Sequence, residues 1–237
     1  KFIDSLNMST SIGYPLSGSK MKYVVERPSE TEGHVNRDFV PIVWDEIHRV
    51  EECLRKGERA YCIAKACKKD EVLSSAKNKC RIFYGNSIAL TFLVRKYYLP
   101  IIRIIQMNPL LSECAVGVNC HSQEWEQLNR HMDRFGRERT IGGDYSKYDQ
   151  KLPSQLLFAS LRILINMASH LNYDAEDLAM MNALCGELVY AYVAFNGDLI
   201  SVTEGLHISG NSLTVILNGI CGSLNLRCFY FSEYSSG

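Results

Sequence analysis

Apolar residues recur every three or four positions in five stretches of the chain, a spacing that predicts α-helices with a buried face. The predicted helices cover residues 44–60, 85–107, 122–135, 156–171 and 174–185. Ser122 and Asp174 are residues of the kind that begin helices by capping. Pro100 lies inside the second predicted helix and is expected to kink or interrupt it.

Two of these helices carry a packing expectation. The helix after Ser122 is expected to bury one aromatic and aliphatic face. That face is formed by Trp125, Leu128, Met132 and Phe135. The run from 156 to 171 is apolar on nearly all sides, which is typical of a helix buried behind a sheet, and Pro153 is well placed to open it.

Strands are predicted between the helices. Residues 188–195 alternate and are followed by Asn196-Gly197-Asp198 and residues 199–202, which predicts a β-hairpin. Residues 140–142 predict a short strand that delivers Asp144 to the end of an antiparallel sheet. Helix pairs with strands between them predict an α/β (α+β) fold, in which an antiparallel sheet is backed by helices.

Composition limits the classes of function. The 237 residues contain 26 Lys plus Arg and 26 Asp plus Glu, so any nucleic-acid surface must be a local one. Nine scattered cysteines indicate a reducing compartment, and neither Cys62 with Cys67 nor Cys114 with Cys120 and His121 has structural zinc spacing. There is no run of 18 apolar residues and no signal peptide, which predicts a soluble, intracellular protein.

Two carboxylates, Asp144 and Asp149, lie five positions apart behind the glycines at 142 and 143. They can share one site only if the chain turns between them, because residues at this spacing point apart on a strand or a helix. A carboxylate beside backbone carbonyls offers the oxygen ligands that Mg²⁺ prefers. A surface turn with two solvated aspartates is the alternative.

A second polar pattern begins at Ser209-Gly210. Thr214 and Asn218 follow at intervals of four, which puts a hydroxyl and an amide on one face of a helix entered through a flexible glycine. Such a face can bind a sugar hydroxyl through Asn218. Taken singly, Ser209 is equally suited to be an N-cap and Thr214 a helix-packing residue.

Positive charge is concentrated between residues 65 and 81. Six Lys or Arg stand there against two acids, a local net charge of +4 in a neutral protein. Such a segment suits a triphosphate or an RNA backbone, although a charge run is also typical of a solvated face. Residues 7–15 form a separate polar, turn-prone stretch in which Gly13 and Pro15 restrict the backbone.

These segments together resemble one family. The paired aspartates, followed by Ser-Gly-x3-Thr-x3-Asn, resemble motifs A and B of the RNA-dependent RNA polymerases of picorna-like positive-strand RNA viruses. The amino-acid sequence from Ser209 to Asn218 is most similar to that of the insect dicistrovirus and marine algal branches of this group. Lys69-Asp70-Glu71 with the Lys-x-Arg at 79–81 resembles motif F of the nucleotide entry channel. Residues 10–15 resemble motif G, which contacts the template strand.

The resemblance implies a Mg²⁺-dependent nucleotidyl transfer, with Mn²⁺ as a substitute. Asp144 and Asp149 are the implied catalytic residues, and Asp144 with the Tyr145 carbonyl is the implied metal site. The implied nucleotide-binding residues are Lys69, Lys79, Arg81, Asp149, Ser209, Gly210, Thr214 and Asn218. The implied template-binding residues are Thr10, Ser11, Gly13 and Tyr14. The stretch between Lys69 and Arg81 is a few residues shorter than in the animal viruses. The match of Lys77 and Lys79 to the motif F lysine is therefore ambiguous, while Lys69 and Arg81 are the firmer matches.

The resemblance also implies a domain division. Residues 1–100 would be fingers and 101–185 palm, the hairpin of 186–206 would return to the fingers, and 207–237 would be palm again. The family's Gly-Asp-Asp motif does not occur in the 237 residues. The expectation is a polymerase fragment without thumb, inactive alone. Its partners would be RNA template and primer, nucleoside triphosphates and other viral replication proteins, in membrane-associated complexes of the host cytoplasm.

Two other classes remain open from the residues. A catalytically silent RNA-binding or scaffold protein derived from a polymerase would keep the basic segment but tolerate loss of Asp144. A metal-dependent phosphohydrolase built on the two aspartates would need further ligands, and His170 and His207 have no partners at useful spacing.

Overall fold

Helices and two small sheets make up the part of the chain that the computed structural model describes, residues 6–28, 36–70, 72 and 81–234. The helices are α1 (Pro41–Arg55), α2 (Ile88–Met107), α3 (Gln123–Met132), α4 (Tyr148–Lys151), α5 (Ser154–His170), α6 (Ala175–Val189) and α7 (Thr214–Tyr234). The strands are β1 (Val24–Arg27), β2 (Asn36–Phe39), β3 (Ile63–Lys68), β4 (Ile82–Gly85), β5 (Tyr192–Phe195) and β6 (Asp198–Ser201). The predicted α+β class is confirmed.

Side-chain caps begin three of the helices. Ser122 accepts a hydrogen bond from the Glu124 N–H at the start of α3, and Asp174 accepts one from the Asp177 N–H at the start of α6. Both predicted helix starts are therefore confirmed. Ser87 caps α2 in the same way through the Leu90 N–H, at 3.1 Å. Each such cap satisfies a backbone donor that the helix itself leaves unpaired.

Helix α2 passes through Pro100 without a break. The proline removes one helical hydrogen bond, a cost of about 3 kcal/mol in a helix interior. Its neighbours Tyr98, Ile101 and Ile102 are almost completely buried, and burial of each large apolar side chain contributes about 1.5–3 kcal/mol. The expected interruption was wrong because packing outweighs the lost bond, and the alternative expectation, a kink at Pro100, stays a prediction. The predicted domain boundary at residue 100 falls inside this helix and stays a prediction.

The main core lies between α1, α2, α5, α6 and α7. Leu93, Leu161 and Leu184 are fully buried in it, and the Tyr98 hydroxyl donates to the Met181 carbonyl at 2.8 Å. Helix α5 packs against α6 and α7, and no described strand is among its main contacts, so the prediction that it lies behind a sheet was wrong for the described residues. The apolar run supplied a helix–helix core instead. In the described part of the chain, no helix is both long and apolar enough to cross a membrane.

The larger sheet has the strand order β4-β3-β5-β6. Strands β3 and β5 are parallel, while β3–β4 and β5–β6 are antiparallel. The β5–β6 hairpin turns at Asn196 and Gly197, which both have positive φ, so the predicted hairpin is confirmed. A second small core of Ala64, Val193 and Ile208 belongs to this sheet. Strands β1 and β2 form a separate antiparallel pair.

Two expectations about residues 122–142 were wrong. Helix α3 has no buried residue, and Trp125 and Phe135 are 52% and 66% exposed. Its main contact is the 3₁₀ turn that follows it, so its apolar face has no cover within the described residues. Residues 140–145 form no strand, because none of the described strands lies alongside to pair with their backbone groups. Asp144 therefore stands in an irregular segment, not at a strand end.

Candidate functional site

The turn that carries Asp149 lies against the loop of residues 205–210. The His207 N–H donates to the Asp149 carbonyl at 2.8 Å. Gly205, at φ +116°, packs so closely on the next backbone segment that a β-carbon would stand 2.9 Å from the Ser154 nitrogen. Only glycine permits this approach. The chain thus turns after Asp144, as the predicted shared site required, and one-turn helix α4 carries Asp149.

Gly210 joins the same loop to strand β4. A β-carbon on Gly210 would overlap the Tyr84 carbonyl oxygen and lie 2.9 Å from the Tyr84 carbonyl carbon. Burial, and after it the negative charge of Asp149, raises the pKa of the Tyr84 phenol. Strand β4, the 205–210 loop and the Asp149 turn therefore converge on one place.

Asn211 forms the turn that leads from the 205–210 loop into helix α7. The Asn211 side-chain oxygen accepts from the Leu213 N–H at 2.7 Å, and the Asn211 carbonyl accepts from the Thr214 hydroxyl at 3.0 Å. The alternative that Ser209 is the N-cap is therefore wrong, and Ser209 is left half-buried in the loop. Thr214 is the first residue of α7, and the predicted spacing places Asn218 one turn later.

Asn218 has an unsatisfied side chain. Its Oδ1 is buried and has no hydrogen-bond partner among the described residues, while its carbonyl accepts from the Tyr148 hydroxyl at 3.1 Å. Since buried acceptors without partners are costly, such an atom is a candidate ligand contact. Within the described residues no hydrogen bond joins the side chains of Asp149, Ser209 and Asn218. Their predicted action as one set stays a prediction.

His207 adds a buried ring that the sequence did not single out for this site. It is 1% exposed, and its Nε2 has no hydrogen-bond partner in the part of the chain that the structure describes. Burial lowers the pKa of the imidazole, whereas the Asp149 charge and a bond to the Thr214 backbone act in the opposite direction. The ring therefore stays neutral near pH 7 and lies close to Asp149. Its position next to the Ser-Gly pair was the available sequence signal.

Asp144 is exposed in the irregular segment, and the Tyr145 ring lies 4.8 Å from the Tyr148 ring, centroid to centroid. The Asp144 carboxylate and the Tyr145 carbonyl are hard oxygen donors, as a divalent cation of the Mg²⁺ type requires. Among the described residues, however, no three His, Cys, Asp or Glu side chains come together as a metal site. The donor type fits a divalent cation, but the number of ligands present does not complete its shell.

The basic residues lie at the far end of β4. The Lys69 N–H donates to the Arg81 carbonyl at 2.9 Å, directly beyond the β3–β4 ladder. Both side chains are exposed. At about 3.4 Å per strand residue, Arg81 lies roughly 10 Å along β4 from Tyr84. Lys77 and Lys79 lie outside the described residues.

The loop with Thr10, Ser11, Gly13 and Tyr14 lies beside the other end of β4. Gly13, at φ +83°, packs on the residues after that strand, where a β-carbon would stand 2.8 Å from the Ser87 Cα. The buried Lys20 ammonium donates to the Thr10 hydroxyl and to the Ser11 carbonyl. Burial lowers the Lys20 pKa. Tyr14 is 52% exposed, so the loop presents an aromatic ring to solvent.

The fold has a solved counterpart. The Sicinivirus 3Dpol RNA dependent RNA polymerase superimposes with a TM-score of 0.66 at 18% sequence identity, over 92% of this chain and 44% of that chain. At this identity the likeness concerns the fold alone. The chain therefore has the fold of part of that polymerase.

Sequence relatives then identify the family. The family model for viral RNA-dependent RNA polymerase matches residues 1–235, and the chain belongs to that family. It is 31% identical over 182 residues to the RNA1 polyprotein of Grapevine chrome mosaic virus, covering 74% of this chain and 8% of the polyprotein. It is 25% identical over 240 residues to the replicase polyprotein of Drosophila C virus, covering 96% of this chain and 14% of the polyprotein.

A third relative is the genome polyprotein of Deformed wing virus, at 25% identity over 240 residues, with 94% of this chain and 8% of the polyprotein covered. The predicted resemblance to picorna-like polymerases is confirmed. The chain spans about a tenth of the length of these polyproteins. Polymerases of this family generally use a divalent metal.

Proposed function

We propose that this chain is the fingers and first palm portion of a viral polymerase that copies RNA templates by Mg²⁺-dependent nucleotidyl transfer. The observation that carries the proposal is the convergence on Tyr84 of the Asp149 turn and the Gly210 loop. The turn and the loop that converge there carry the residues that resemble motifs A and B, while Lys69 and Arg81 of the motif F resemblance lie at the far end of β4. The proposed division is fingers for 1–100 and 186–206, and palm for 101–185 and 207–237.

Ribose recognition is assigned to the residues around Asn218. The buried Asn218 Oδ1 has no partner within residues 6–28, 36–70, 72 and 81–234, and it can accept a hydrogen bond from a ribose 2′-hydroxyl. Asp149 and Ser209 complete the set, and Thr214, whose hydroxyl bonds the Asn211 carbonyl, fixes the first turn of α7. A deoxyribose would leave the Asn218 acceptor unsatisfied, which is a strong basis for discrimination.

Phosphate and template binding are assigned to the two ends of β4. Lys69 and Arg81, with Lys79 or Lys77, would neutralise the incoming triphosphate. The loop of Thr10, Ser11, Gly13 and Tyr14, at the other end, would contact the template strand. RNA template, primer and nucleoside triphosphates are therefore the proposed partners, together with other viral replication proteins. The proposed location is a membrane-associated complex in the host cytoplasm.

The divalent metal is assigned to Asp144 and the Tyr145 carbonyl, with Mg²⁺ favoured and Mn²⁺ as a substitute. When bound, the metal would supply charge neutralisation at the reacting phosphate. The remaining ligands are proposed to come from the triphosphate and from a Gly-Asp-Asp motif of the parent polyprotein. Asp149 would hold the sugar in place beside them.

The test uses the full-length polymerase that contains this chain, assayed for primer extension with NTP and with dNTP. Asn218→Ala is expected to reduce the preference for ribose at least about tenfold, because the acceptor for the 2′-hydroxyl is gone. Asn225→Ala is the matched control, since Asn225 is an exposed amide on the same helix.

Unchanged ribose preference in Asn218→Ala would refute the assignment of Asn218. A full-length protein that binds RNA but incorporates no nucleotide would instead favour the silent RNA-binding class. The isolated 237 residues are expected to incorporate none, and measurable Mg²⁺-dependent incorporation by them would overturn that expectation.

A further inference from the structure

Glu187, near the end of α6, is a completely buried carboxylate, with 0% of its side chain exposed. Its Oε1 accepts from the Arg59 Nε at 2.8 Å, from the Ala60 N–H at 3.0 Å and from the Tyr61 N–H at 3.3 Å. Its Oε2 accepts from the Cys62 N–H at 2.8 Å. Three successive backbone N–H groups therefore enclose one carboxylate, as in the anion-binding nests of other proteins.

The backbone around this carboxylate is bent to fit it. Tyr61 has φ +52°, in the left-handed region that favours glycine over a bulky residue. This conformation lets the N–H groups of residues 60–62 point to one place. Arg59 balances the charge and also donates to the Tyr190 carbonyl at 2.7 Å. Burial, and after it the Glu187 charge, raises the pKa of the Cys62 thiol to about 12.

The nest at residues 60–62 comes directly before β3. Residues 63–65 of that strand pair in parallel with residues 192–194 of β5, and β5 follows α6 almost directly. Glu187 thus joins the end of α6 to β3. The same helix leads into β5, which is the parallel neighbour of β3. At its other end β3 delivers Lys69, which is bonded to the Arg81 carbonyl.

Register matters here because a one-residue slip of a strand turns every side chain to the opposite face. Parallel pairing of β3 with β5 covers only three residue pairs, so the ladder itself is a short one. A clamp at the start of β3 can therefore add to the β3–β5 and β3–β4 ladders in fixing the register of the strand that leads to Lys69.

We propose that Glu187 is a positioning residue, which through the nest at residues 60–62 sets the place of Lys69 and Arg81 relative to the site around Asn218. This role rests on the proposed function, in which those cations bind the triphosphate. Glu187 does not touch substrate. It acts through β3, and its loss affects nucleotide binding more than the chemical step.

The test compares Glu187→Gln with Glu176→Gln in the full-length polymerase. Glutamine keeps the size of the side chain but turns one acceptor into an NH₂ group facing backbone donors. Glu176 is the matched control, an 83% exposed carboxylate on the same helix that pairs with Arg55. The KM for NTP and the kcat per active site, titrated by single turnover, separate positioning from loss of folded enzyme.

Glu187→Gln is expected to raise the KM for NTP about tenfold with kcat per active site within about twofold, while Glu176→Gln changes neither. Glu187→Asp keeps the charge but is one methylene short, and a smaller rise in KM is expected. It carries the test if the glutamine variant does not fold. In parallel, the alkylation rates of Cys62 and Cys185 are measured by mass spectrometry. Cys185 is buried on α6, the helix of Glu187, and serves as the reference. Alkylation of Cys62 should be faster in Glu187→Gln than in the wild type, while that of Cys185 should change less.

A folded Glu187 variant with wild-type KM would overturn the positioning role, even if its melting temperature fell, and so would a KM rise in Glu176→Gln of equal size. Wild-type enzyme that incorporates no nucleotide would overturn the proposed function, and the positioning role with it. An active wild type with unaffected Glu187 variants would overturn the positioning role alone.

Discussion

Substitution of Gly210 by alanine is the sharpest steric test of the site. The added β-carbon would overlap the Tyr84 carbonyl oxygen and stand 2.9 Å from the Tyr84 carbonyl carbon, whereas ordinary contact begins at 3.4 Å. The 205–210 loop and β4 must therefore separate by more than about 0.5 Å, since no flexible side chain can yield instead. Overpacking of this kind costs about 1–3 kcal/mol of folding free energy.

The functional loss should exceed what this destabilisation alone would cause. Ser209 lies in the displaced loop and Asn218 lies on helix α7, which follows the loop. Displacement of reacting groups by 1 Å can cost about 100-fold in rate. We expect Gly210→Ala to reduce kcat/KM for nucleotide incorporation by about 10- to 100-fold in the full-length polymerase. The assay is primer extension with a titrated active-site concentration, beside thermal unfolding of the same preparation.

Gly222→Ala provides the control. Gly222 lies inside helix α7, and a β-carbon there would meet only the Tyr148 hydroxyl at 3.8 Å, an ordinary contact. It should leave activity unchanged and stabilise the helix by about 0.5–1 kcal/mol, because alanine loses less backbone entropy than glycine. If Gly210→Ala matched the wild type in both rate and melting temperature, the loop would not lie against β4 and the convergence would be refuted.

Two further predictions concern stability. Arg227 holds Glu113 by an ion pair of 2.7 Å and, with Ser223, lowers the pKa of Glu113 to about 2, so the pair should stabilise the fold above pH 4.5 and lose this effect as pH falls towards 2. Both side chains are about half exposed, so solvent screening should keep the effect small. The melting temperatures of wild type and Glu113→Gln should converge over that range, and a pH-independent difference would contradict the ion-pair explanation. Ser87→Ala should cost about 1 kcal/mol in denaturant unfolding, because the α2 cap is lost, and an unchanged midpoint would show that the Leu90 N–H finds another acceptor.

Local chemistry was enough to predict several elements. The starts of α3 and α6 followed from Ser122 and Asp174, because a cap is made by one side chain and a backbone group two or three residues away. The hairpin turn at Asn196-Gly197 was equally local. In each case the partner lies within the same few residues of sequence, so no knowledge of the tertiary structure was needed.

The failures all depend on which element packs against which. Periodicity predicted an apolar face on α3, but Trp125 and Phe135 are exposed because no described element covers them. The strand expected at 140–142 likewise required a neighbouring strand that the described residues do not supply. Strand β3 went unpredicted because its lysines resemble those of a solvated segment, although Ala64 in the same strand is buried.

The candidate site shows why motif spacing located residues that periodicity did not. A β-carbon on Gly13 would collide with the backbone at Ser87, and one on Gly210 would collide with the backbone at Tyr84. These two backbone positions are only three residues apart. Glycine is therefore required by the approach of two loops to one short segment, and the sequence displays the glycines but not the segment they approach. Tyr84 thus becomes the residue on which the motifs depend, because its backbone limits one loop and its phenol lies near Asp149. Strand β4, which matches no motif beyond its first flanking arginine, is for this reason the structural centre of the site.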